Sequence, residues 1–185
     1  MAQQKFKVKI SKKYNTQERV AIGLDVIERI IERTQQGKDK KNKDFSGAAA
    51  EYSDSYKGSF DFKLAGKSKS GKVNLTLSSE MLNALTILNH KSGEITIGYT
   101  KDDEFNNAKA EGNIKGTYGQ KKPIRGKKRD FLGITGAEKK EITSNYPTNK
   151  KDKDSSSLLK TLLATEASRE IAGQFLDVEA LDNEL

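Results

Sequence analysis

The chain has no cysteine and one histidine, His90. The first absence excludes a disulfide framework and thiolate metal sites, and fits a reducing compartment. With one imidazole, set in a turn, there is little from which to build a poised nucleophile and base. No HExxH, GxSxG or phosphate-loop motif is present. Gly66-Lys67-Ser68 comes nearest to a phosphate loop, but the glycine needed five residues before the Gly-Lys pair is replaced by Asp61. Carboxylate-only hydrolysis stays open, since paired acids need not be close in sequence. The expectation is a protein that is not an enzyme and carries no cofactor or metal. Apolar residues are also scarce, at 34%. No stretch approaches the roughly 18–20 apolar residues of a membrane span, and Met1 to Lys7 has no apolar signal core. Aromatics, at 7%, are too few for a base-stacking platform.

Charge is abundant. It makes up 32% of the 185 residues, for a net +8. Residues 158–185 hold Lys160 and Arg169 against Glu166, Glu170, Asp177, Glu179, Asp182 and Glu184, so this tail carries −4 and the body +12. A basic body with an acidic tail suits either subunit pairing or nucleic-acid binding tuned by the tail.

Phe6, Val8 and Ile10 alternate with lysines and read as a half-buried strand. Asn15 and Glu18 form a capping box. It opens a helix from about 16 to 36, with Val20, Leu24, Ile27 and Ile31 at helical spacing and Gly37 as the stop. Lys38 to Asp44 reads as a solvated loop. Tyr52 and Tyr56 would stack on one helical face, and Phe60, Phe62 and Leu64 alternate like a strand. Val73, Leu75 and Leu77 suggest a second short strand, followed by a helical turn capped by Ser78 or Ser79. Thr86, Ile87, Ile95, Thr96 and Ile97 flank a turn at 90–93, a strong hairpin signal that puts an exposed, inert His90 at its tip. A short helix follows within 101–111. Its Asp102-Asp103-Glu104 start is more naturally a helix-dipole feature than a cation site.

Gly112 to Lys128 has four glycines, a proline and six Lys or Arg residues. It reads as a functional loop, too polar to pack as a core element, in which Lys121, Lys122, Arg125, Lys127 and Lys128 would reach a partner or DNA. Arg129-Asp130-Phe131-Leu132-Gly133 then comes off that loop. Phe131 and Leu132 should be buried against the long helix or the hairpin, while Arg129 stays near the surface. A helix over Gly136 to Ser144 follows. Beyond it lies a polar linker at 147–157. Leu159, Leu163, Ala167, Ile171 and Phe175 then recur every four residues in an amphipathic helical arm at 158–185, with Leu159, Leu163, Ile171 and Phe175 as its interface.

The box Arg129-Asp130-Phe131-Leu132-Gly133, with Pro123 and Arg125 ahead of it, resembles the Arg-x-Phe-Leu-Gly box of the virion-morphogenesis, or tail-completion, proteins of tailed phages. Met81 and Leu85 match an upstream segment of that family, whose Thr-Gly is absent here, and Gly112 matches a further glycine. The likeness covers about Ser78 to Ile142. It implies a structural part of the head-to-tail joint: a neck, tail-completion or tail-terminator protein without catalysis. It also implies a ring of six or twelve copies touching neck, connector or tail-tube proteins, with genomic DNA in the channel. The site would then lie in the virion, assembled in the host cytoplasm. The expected fold is α+β, with a mainly antiparallel sheet, a long N-terminal helix, a domain at 1–146, the linker and the arm. The alternative is a basic nucleic-acid-binding module, for which no recognised signature accompanies the charge.

Overall fold

In the computed structural model the residues described are 2–64, 73, 75, 80–118, 122–123 and 126–146. The chain divides into two units, Met1–Asn145 and Tyr146–Leu185. The expected linker and arm, including Leu159, Leu163, Ile171 and Phe175, lie outside the described residues, as do Lys121 and Arg125.

The first unit is α+β, with a three-stranded antiparallel sheet of order β1-β3-β2. β1 is Lys5–Lys9, β2 is Thr86–Asn89 and β3 is Glu94–Gly98. The hairpin forms where the turn residues predict it, and its second arm is the central strand. β1 pairs along β3 with Phe6 opposite Ile97 and Val8 opposite Ile95. Period two holds in β1: Val8 is buried while Lys5, Lys7 and Lys9 face solvent. Ile95, Thr96 and Ile97 of β3 are all buried, as a strand covered on both faces must be. His90 is half-buried rather than exposed, and its carbonyl accepts a hydrogen bond from Arg19 Nε at 2.7 Å.

Helix α1, Thr16–Gln35, begins at the expected capping box. Asn15 Oδ1 accepts from the Glu18 N–H at 2.8 Å, and Glu18 Oε2 accepts from the Asn15 N–H at 2.7 Å. It stops before Gly37, whose φ of +80° is left-handed. The deeply buried row is not Val20, Leu24, Ile27 and Ile31, which are half-buried. It is Ile22, Val26 and Ile30, continued by Arg33. Two apolar rows adjoin on this helix, and Gly23 decides between them. A Cβ there would lie 2.6 Å from Ile87 Cδ1 and 3.4 Å from Ile95 Cγ2, so the sheet approaches α1 on the glycine's face.

Tyr52, Phe62 and Val73 form a second apolar cluster, with Phe45, Tyr56 and Leu75 against it. The Tyr52 and Tyr56 rings do meet, with centroids 5.1 Å apart, but Tyr52 precedes helix α2, Asp54–Lys57. Phe60–Leu64 is a helix, α3, not a strand. Ser59 Oγ accepts from the Phe62 N–H, and Phe60 stays 75% exposed while Phe62 is buried. Five residues are too few for period two to exclude a helical turn. Val73 and Leu75, the described part of the expected strand at 73–77, lie outside any strand. Leu75 has a φ of +54°, which a strand does not allow.

Helix α4 is Glu80–Asn83, α5 is Glu104–Lys115 and α6 is Gly136–Ser144. Asp103 caps α5 by accepting from the Asn106 N–H, which explains the acidic start. Because α5 runs to Lys115, the loop begins at Gly116 and not at Gly112. Lys38 to Asp44 is a tight turn closed by a Lys38–Asp44 bridge, with Asp39 Oδ1 accepting from the Lys41 and Lys43 N–H groups.

Candidate functional site

The box residues are firmly anchored although they lie outside the regular elements. Phe131 is fully buried and Leu132 is 7% exposed, as expected from an apolar pair following a charged loop. The main chain around them is held by two arginines. From α1, Arg33 sends Nη2 to the carbonyls of Phe131 at 2.9 Å and Gly133 at 2.7 Å. Its Nη1 meets both Glu138 oxygens at 3.0 Å. Glu138 also accepts from the Thr135 N–H at 2.7 Å and so closes the capping box of α6. One carboxylate therefore starts a helix and neutralises the guanidinium that grips the box. Burial pushes the Glu138 carboxyl up. The Thr135 backbone and hydroxyl bonds and the Arg33 charge outweigh it, holding the group below its usual value.

Arg129 works in the opposite direction. It is 5% exposed, not near the surface. Its Nε donates to the Ala49 carbonyl at 2.9 Å and its Nη2 to the Glu51 carbonyl at 3.1 Å. Its Nη1 lies 3.4 Å from Asn113 Oδ1, and its own N–H donates to the Asn113 carbonyl at 2.7 Å. The guanidinium stands 5.3 Å from the Tyr118 ring centre and 5.7 Å from that of Tyr52. Burial lowers the Arg129 pKa from its ordinary value, and the neighbouring tyrosines push the other way. Asp130 pairs with Lys40 at 2.9 Å, and its carbonyl accepts from the Lys40 N–H, so the 38–44 turn docks on the box.

Of the other matched residues, Met81 and Gly112 lie at the same place. Met81 and Leu85 are buried, and Met81 Sδ lies 3.9 Å from Asn113 Nδ2. Gly112 is buried in α5, where a Cβ would sit 3.3 Å from the Tyr118 main chain. Tyr118 hydroxyl, with φ of +45° at its residue, bonds to the Lys127 carbonyl at 2.8 Å and Asn113 Oδ1 at 3.2 Å. Gly133 is buried with φ of +143°. Of the basic cluster, Lys122 and Lys128 are exposed and Lys127 is half-buried.

Tyr52, Tyr56, Leu75, Met81, Tyr118 and Arg129 line a cleft of about 410 Å³, with Lys109 and Lys127 beside them. Sequence reading missed Arg33, Glu138 and Asn113. A signal existed for Arg33, which falls seven residues after Val26 and three after Ile30, on the buried row. Among the described residues no three of His, Asp or Glu come together as a metal site. No described helix is long and apolar enough to cross a membrane. Comparison with protein-family models, curated proteins and solved structures finds no match to the chain.

Proposed function

We propose that the chain is a structural component of a phage head-to-tail joint, a neck or tail-completion protein that assembles as a ring of six or twelve copies. One observation carries the reading. The Arg129–Gly133 box, on which the family resemblance rests, is used as a fastening: its carbonyls are tied to α1 through Arg33, and its own arginine ties back the 49–51 segment. Such a knot holds the box rigidly in place, as a subunit of an assembly requires: Arg33 is spent on two main-chain carbonyls and the Glu138 carboxylate. In this reading the basic stretch Gly116 to Lys128 faces a neighbouring layer or the DNA channel, residues 158–185 serve assembly, and the protein resides in the virion without catalytic activity or cofactor.

The test is the mass of the purified full chain, by mass photometry and negative-stain electron microscopy, without nucleic acid. A closed ring that persists as salt is raised supports the proposal. A monomer that binds DNA with a steep salt slope supports instead a basic nucleic-acid-binding module, because phosphate neutralisation weakens with salt.

A further inference from the structure

Arg129 is a buried cation with no carboxylate paired to it among the described residues. Arg33, comparably buried, has Glu138 against it; among the described residues no Asp or Glu forms an ion pair with Arg129. Buried charges are ordinarily paired. Of the five N–H donors of a guanidinium, three go to Ala49, Glu51 and Asn113, which leaves two without an acceptor among the described residues. The group is not sealed off, since it lines the cleft of about 410 Å³. Beside it, the Lys127 amine has no ion-pair or hydrogen-bond partner among the described residues, whereas Lys109 lies over the Phe105 ring and 3.4 Å from Glu80. The other described lining residues are mostly apolar or aromatic, Leu75, Met81, Tyr52, Tyr56 and Tyr118, with Ser53 and Asn113 as the polar ones.

We infer that this cleft binds one carboxylate carried between apolar side chains, on an acidic peptide segment of a partner protein. The planar guanidinium suits a carboxylate, and a charge-assisted bond to it is strong where water is excluded. Lys127 adds a second positive charge at the cleft. Leu75, Met81 and Tyr56 take the apolar neighbours of the acid. A nucleic-acid strand is the poorer fit. Its phosphates come in a row and require an exposed track of cations with faces for stacking, whereas the arginine of this site is buried, at 5% exposure, among mostly apolar and aromatic side chains. The inference does not depend on the neck assignment.

Arg129 also holds the carbonyls of Ala49 and Glu51, so its replacement risks the fold. The decisive change is therefore made on the ligand. A fluorescein-labelled peptide with the core Leu-Phe-Glu-Leu, and its twin with Gln for Glu, are titrated against the full-length chain by fluorescence anisotropy at an ionic strength of about 0.15 M. The Glu peptide saturates the protein, and the Gln twin binds at least about tenfold more weakly, the value of one lost charge-assisted bond. The K127E variant weakens the Glu peptide by a similar factor with an unchanged thermal melt. Equal binding of the twins, absence of binding by either, or indifference to K127E overturns the inference. Stoichiometric displacement of the peptide by a single-stranded oligothymidylate overturns it too, and marks the cleft as a phosphate site.

Discussion

Replacing Glu138 by Gln isolates the charge beneath the box. The amide keeps an oxygen for the Thr135 N–H, so the start of α6 is preserved. What is lost is the negative charge facing Arg33, whose side chain is 2% exposed against 8% for Glu138. Removing one member of a buried pair strands the other, at a typical cost of about 3–5 kcal/mol. Set against the roughly 5–15 kcal/mol of a whole domain, the variant stays folded with a thin margin. Urea denaturation followed by circular dichroism at neutral pH reads this directly. With a slope of about 2 kcal/mol per molar, the midpoint falls by about 1.5–2.5 M. The control is Glu141→Gln, which breaks the more exposed Arg29–Glu141 pair, shorter at 2.7 Å, and should cost no more than about 1 kcal/mol. The pH dependence has a definite sign. The native Glu138 carboxyl lies below its unfolded value, so its contribution is complete above the unfolded pKa and is lost as pH falls through the depressed native one. The gap between wild type and variant is therefore full at neutral pH and closes in acid. If Glu138→Gln loses no more than Glu141→Gln, the pair does not hold the box and the argument fails.

Three further outcomes are expected. Phe131→Ala, at a fully buried site, should lose about 3–5 kcal/mol by the same denaturation assay; a loss under about 1 kcal/mol would mean the ring does not belong to the core. Tyr99→Phe should be neutral or raise the melting temperature, because the buried Tyr99 hydroxyl has no hydrogen-bond partner among the described residues and leaving such a group unsatisfied costs roughly 1–3 kcal/mol; a clear drop would reveal a bond the hydroxyl makes. Neutralising Lys121, Lys122, Arg125, Lys127 and Lys128 together should leave the melt unchanged while head–tail joining is impaired, and normal virion yield from that mutant counts against the proposed function.

What the sequence made legible was local. The Asn15–Glu18 box, the Gly37 stop, the 90–93 turn and the 136–144 helix each depend on residues within a few positions of one another, and all four stand as read. Arg129 was misplaced because its acceptors are the carbonyls of Ala49 and Glu51, some eighty positions away, and main-chain oxygens leave no mark in a sequence. The same holds for Arg33, an arginine in the last turn of α1 that looks like solvent-facing charge until its Glu138 partner, 105 positions on, is known. The burial of Phe131 and Leu132 was legible because it needs only their own apolarity. The cleft beside them was not, since it is assembled from α2, α4, α5 and the segments flanking them, whose meeting no periodicity encodes.

The strand order has a consequence during synthesis. β1 leaves the ribosome about 90 residues before β3, the strand it pairs with, an interval on the order of 5–20 s at ordinary elongation rates. Throughout it Phe6 and Val8 belong to an orphan segment, the sort that joins another nascent chain edge to edge. Lys5, Lys7 and Lys9 put three like charges on that segment and make such mutual pairing repulsive. Once β3 arrives, Lys7 finds Glu94 at 2.7 Å, and the residue that kept the strand solitary becomes a mark of its correct register. A β1 stripped of its lysines would thus betray itself in the yield of soluble chain sooner than in the melting point of what folds.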